Sequence, residues 1–136
     1  MGKKKWIITL ILWLAMIFIC TQLPYFKGEN TEAAIHKTIS TSHVDLKLLN
    51  LIVRKATHLT VFGILAVLFF KSLGKFRFAY ILSWFLTVVY AITDEYHQSF
   101  MPGRESSYKD VMLDSIGAIL ALLIVYFMKK RRSTAK

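Results

Sequence analysis

The sequence predicts an all-α integral membrane protein: a four-helix bundle with an amphipathic helix or loop between the first and second spans. Three observations lead there. Hydrophobic residues are 55% of the 136 and charged residues only 19%, against about 45–50% and about 25% in soluble domains. The apolar residues are gathered into four runs, at residues 6–23, 56–70, 78–93 and 111–128. The basic residues, finally, gather at alternate ends of those runs. The length suits one domain over residues 1–136. A water-soluble enzyme with a central core is excluded, and so is a disordered chain, which requires low hydrophobicity.

The first run follows Lys3, Lys4 and Lys5 and resembles the start of a signal peptide. It is longer than an h-region of about 7–15 residues and lacks a small-x-small cleavage pattern in Thr21-Gln22-Leu23-Pro24, so it reads as an uncleaved helix. A bilayer core needs about 20 apolar residues, with a range of about 17–25. The second and third runs reach that length only if Arg54 and Lys55 snorkel to the interface and Asp94 sits just outside the hydrocarbon. The fourth run is interrupted by Asp114 and Ser115 and closed by Lys129-Lys130-Arg131-Arg132. Between the first two spans, residues 44–54 show helical periodicity and read as an amphipathic helix leading directly into the second. Trp6, Trp13, Tyr25, Tyr80, Tyr90, Tyr96 and Tyr126 are expected to form interfacial belts near span ends.

A net charge of +10 would suggest nucleic acid in a soluble protein. Here its distribution decides otherwise. With a cytoplasmic amino terminus and four alternating spans, the inner segments hold eleven basic residues and no acidic one. The outer segments hold the other seven basic residues and all eight acidic ones. That split follows the positive-inside rule, so both termini are expected in the cytoplasm. Nucleic acid is not an expected partner; the lipid bilayer is. The lone Cys20 allows no intrachain disulfide.

Under this topology the polar chemistry collects at the outer face. Arg54, Lys55 and His58 enter the second span, with Arg54 and His58 one helical turn apart. Asp94, Glu95, His97 and Gln98 leave the third, and Phe100-Met101-Pro102-Gly103-Arg104 reads as a turn. Ser106 or Ser107 can cap the last helix, which carries Asp110 and Asp114 one turn apart. Ionisable groups inside a span cost about 2.5–3.5 kcal/mol and face a partner or a cavity. Asp114 and His58 therefore need partners, and Asp94 or Glu95 is the expected one for His58. His97 is expected to face water, and His36 and His43 to lie in the loop. Ligand types for a metal are present, but no H-E-x-x-H or equivalent spacing is, so neither a metal nor a cofactor is expected. Gly117 and Ala121 form a small-xxx-small face that suits packing within the chain or a homo-oligomer.

Three blocks together resemble the VanZ-like membrane proteins: Arg54-Lys55-Ala56-Thr57-His58, Asp94-Glu95-Tyr96-His97-Gln98-Ser99-Phe100 with Gly103-Arg104, and Asp110 through Asp114 to Gly117. The family pattern is K-x-x-H, then D-E-x-x-Q-x-F…G-R, then D-x-x-x-[ND]-x-x-G, and all three fit in order. Asp114 stands where many relatives carry Asn. The resemblance implies a multi-pass protein of the bacterial cytoplasmic membrane, and a family whose founding member is associated with low-level teicoplanin resistance.

These observations lead to an outer-face site for an amphiphilic cell-envelope ligand, such as a lipid-linked precursor or a lipoglycopeptide tail. Its expected residues are Arg54, Lys55, His58, Asp94, Glu95, Gln98, Arg104, Asp110 and Asp114. If a reaction occurs, Asp94 or Glu95 with His58 would be the acid/base pair, and Arg104 would stabilise developing negative charge. The alternative is a non-enzymatic scaffold or accessory subunit whose polar cluster only fixes packing.

Overall fold

The computed structural model describes residues 2–22, 46–74, 76–101 and 107–134. They form four helices: α1 (Lys3–Gln22), α2 (Leu46–Leu73), α3 (Ala79–Gln98) and α4 (Tyr108–Thr134). No strand occurs among them. At 1.5 Å per residue, α1 and α3 are each about 30 Å long and α2 and α4 about 40 Å, so each helix matches or exceeds a hydrocarbon core of about 30 Å. Three of them, α1, α2 and α4, are long and apolar enough to cross a membrane. Tyr, Ser, Thr and the closing Asp94-Glu95 dilute the apolar content of α3.

The amphipathic stretch expected at residues 44–54 is, from Leu46 onward, the first turns of α2 itself. Residue 44 lies outside the described residues. α2 ends where Gly74 takes φ +70°, a left-handed conformation that glycine adopts without steric cost, and the Gly74 N–H donates to the Phe70 carbonyl at 3.3 Å. At the start of α4, the Ser107 hydroxyl accepts from the Lys109 N–H at 3.3 Å and its carbonyl accepts from the Asp110 N–H at 2.9 Å. Ser107 is thus the capping residue of α4.

The helices run alternately up and down. At one end, the Lys71 ammonium lies over the Trp6 ring at 5.6 Å and that of Lys129 over Phe70 at 4.3 Å. At the other, Phe18 meets His97 and His58 meets Asp114. α2 is the hub and packs on the other three helices, α3 also packs on α4, and α1 touches α3 only lightly.

Phe62, Leu65, Leu68 and Phe70 of α2 fill the core, and around them the bundle turns small and polar residues of α3 inward while many large apolar residues face outward. The buried face of α3 reads Ala79, Ser83, Thr87, Ala91, Asp94, Glu95 and Gln98, while Ile8, Leu12, Ile19, Ile81, Phe85 and Ile124 are exposed. That is the arrangement of a protein solvated by lipid, where close packing and interhelical hydrogen bonds replace the hydrophobic effect as the force between helices. The Ser83 hydroxyl donates to the Ala79 carbonyl at 2.6 Å and Thr87 to Ser83 at 2.8 Å, so their burial leaves no donor unmade. A Cβ on Gly117 would collide with the Leu59 carbonyl oxygen, and one on Gly63 would stand 3.2 Å from the Gly117 carbonyl and 3.3 Å from the Ala121 Cβ. The small-residue face of α4 therefore serves packing against α2 within the chain.

Two of the expected belt residues lie elsewhere. The Trp13 indole N–H donates to the Val61 carbonyl at 3.2 Å and the Tyr90 hydroxyl to the Leu14 carbonyl at 2.9 Å. Both come from mid-helix and tie α1 to α2 and α3, because a buried N–H or O–H in a low-dielectric interior needs a partner.

Candidate functional site

Gly117 sets the geometry of the site. With no Cβ, it lets α4 lie directly on the backbone of α2 at Leu59. One turn earlier on α4 is Asp114, opposite His58, and one turn earlier again is Asp110, opposite Arg54 and Lys55. Matching i, i+4 spacings on two touching helices thus give two polar rungs.

The deeper rung is His58–Asp114, with His58 Nδ1 3.3 Å from Asp114 Oδ1. Both atoms are buried, and among the described residues neither makes a hydrogen bond, so the pair is held as a close polar contact. The Asp114 side chain is only 2% exposed. The outer rung is Asp110, whose carboxylate receives Lys55 Nζ at 3.7 Å and an Arg54 guanidinium nitrogen at 4.0 Å. These two cations are 42% and 43% exposed, so solvent screens the outer rung far more than the inner one.

α3 supplies the third side. Gln98 Nε2 donates to Asp94 Oδ2 at 2.8 Å within that helix. Glu95 reaches across the turn, and its Oε1 accepts the Ser107 N–H at 2.6 Å. A carboxylate bonded to the first N–H of a helix is stabilised by charge-assisted bonding and by the helix dipole, so Glu95 clamps the start of α4 to the end of α3. Asp94, Glu95 and Gln98 are all buried.

The expected residues therefore meet at one end of the bundle, with three differences. The partner of His58 is Asp114 rather than Asp94 or Glu95, because contact between α2 and α4 at Gly117 brings Asp114 alongside the imidazole and Glu95 is engaged by Ser107. His97 does not simply face water: it is half-buried, with its ring centroid 5.1 Å from that of Phe18. Arg104, with residues 102–106, lies outside the described residues, as do His36 and His43.

Two cavities flank His58. A polar one of about 420 Å³ is lined by Leu51, Arg54, Lys55, His58, Ser107, Lys109 and Asp110. A smaller one of about 140 Å³ lies between α1, α2 and α3. Sequence reasoning missed Lys109 and Ser107 as lining residues. The signal for Lys109 was its place beside Asp110 at the start of α4. Among the described residues, no group of three His, Cys, Asp or Glu side chains is arranged to hold a metal ion.

Neither the search of curated proteins nor that of solved structures found a match. The VanZ/LLP1 family model matches residues 6–129, which takes in α2, α3, most of α1 and α4 and both polar rungs. The chain belongs to the VanZ/LLP1 family.

Proposed function

We propose that this protein resides in the bacterial cytoplasmic membrane with both termini inside, and that its outer-face pocket binds or modifies an amphiphilic cell-envelope ligand. The lining of the polar cavity carries the proposal. Arg54, Lys55 and Lys109 surround a space that contains one carboxylate, Asp110. A net positive pocket at the lipid–water boundary suits an anionic head group held by charge-assisted hydrogen bonds. His58 stands at its inner wall with Nδ1 turned to Asp114. That leaves Nε2 as the ring nitrogen for a ligand proton. If the ligand is modified, His58, backed by Asp114, exchanges the proton, and Arg104 stabilises negative charge. Lipid-linked precursors and lipoglycopeptides such as teicoplanin have the required combination of anionic head and apolar chain.

The test is teicoplanin susceptibility in a host lacking this protein, complemented with wild type or with Arg54→Gln/Lys55→Gln at equal membrane abundance. Protection by wild type and its loss in the variant is the expected result. Protection that survives in the variant would refute the cationic pocket as the site. The second reading, a scaffold or accessory subunit, is favoured by the fact that Asp110 and His58 already have partners within the bundle.

A further inference from the structure

The smaller cavity has a different character from the polar pocket it adjoins. Its walls are mostly apolar, with Met16, Ile17 and Cys20 of α1 and Phe62 of α2, and Thr21, Thr57, His58 and Asp94 bring polar groups to its rim. His58 thus lines both spaces, one cationic and one apolar. The volume of 140 Å³ is close to that of apolar cavities of about 150 Å³ that accept a benzene-sized guest. It accommodates a short length of hydrocarbon and excludes a bulky ligand. The helix forming its outer wall is the least embedded of the four, with Leu12, Phe18 and Ile19 exposed on the lipid side. A chain held there is continuous with the surrounding acyl chains.

We propose that this cleft is the subsite for a single hydrocarbon chain whose anionic, phosphate-type head occupies the polar pocket, with His58 at the junction. The inference rests on the reading of the polar pocket as a binding site. A head near Arg54, Lys55 and Lys109 places the first carbons of its chain beside His58, where the apolar cleft between α1, α2 and α3 opens. The bilayer concentrates any long-chain probe, so chain-length preference alone cannot report the cleft. Filling the cleft can.

Cys20 lines the cleft and is the sole cysteine of the chain, so an octyl thiosulfonate can fill the space without any substitution. The protein is placed in phosphatidylcholine nanodiscs, and binding of dodecyl phosphate and of ethyl phosphate is measured against protein-free discs, before and after octylation. Octylated protein should lose about ten-fold in affinity for dodecyl phosphate, some 1.4 kcal/mol, and keep its affinity for ethyl phosphate. Cys20→Ser protein, which cannot react, should show the same affinity for each phosphate before and after exposure to the reagent. Arg54→Gln/Lys55→Gln should weaken both probes.

Dodecyl phosphate binding that ignores octylation, or a Cys20 that the bilayer-borne reagent never reaches, overturns the chain subsite while ethyl phosphate binding keeps the polar pocket. Failure of both phosphates to bind folded protein refutes the pocket and the subsite together. Equal binding of dodecyltrimethylammonium overturns the anionic head.

Discussion

His58 and Asp114 form the contact on which the site depends, because each is the neighbour that the other's buried atom requires. Removing one leaves the other desolvated and unpaired, at a cost of about 1–3 kcal/mol. His58→Ala is therefore expected to lower the melting temperature of the detergent-solubilised protein. Asp114→Asn, which keeps an oxygen facing the imidazole, should cost less. An unchanged melting temperature in His58→Ala would contradict the pairing. The outer rung behaves differently. Arg54 and Lys55 are more than a third exposed and share one carboxylate, so Arg54→Gln or Lys55→Gln alone should change stability by less than about 1 kcal/mol. A larger loss of stability in either would mean that the outer rung is structural.

Among the helices, the approach of α4 to α2 at Gly117 positions both rungs. Gly117→Ala forces a methyl onto the Leu59 backbone, which has no freedom to move aside. Overpacking of this kind costs about 1–3 kcal/mol, and the separation it imposes should also disturb His58–Asp114. Gly63→Ala meets its neighbours at 3.2–3.3 Å and should be milder. Thermal unfolding of the two variants side by side checks that order, and a less stable Gly63→Ala would reverse the account.

The hydropathy runs made the helices legible, since a membrane span needs a continuous apolar stretch. They did not by themselves carry α2 back to Leu46, because its first turns hold Lys47, Asn50, Arg54 and Lys55; the helical periodicity of residues 44–54 did. Nor did they show which acid faces His58: Asp94, Glu95 and Asp114 share a depth, and helix rotation and the Gly117 contact choose between them. Trp13 and Tyr90 were misplaced for the same reason. An aromatic with a polar tip suits an interface equally well as a cross-helix hydrogen bond, and only the packing decides.

At the scale of the whole molecule, the up-and-down bundle gathers the acidic–basic cluster at one end and Lys71 and Lys129, each over an aromatic ring, at the other. The charge asymmetry predicts that the lysine-rich end is cytoplasmic. Reporter fusions at the two termini should both read as cytoplasmic, and an external signal from either would invert the topology and the placement of the site. The central claim is that the cluster at the opposite end acts on a ligand and does more than hold the bundle together. The most direct measurement scores teicoplanin susceptibility for Lys109→Gln and Arg104→Ala in a host lacking the protein, alongside their membrane abundance. The account predicts that wild type protects and that both variants reach wild-type abundance without protecting. Variants that disappear from the membrane, or that protect as well as wild type, would contradict it.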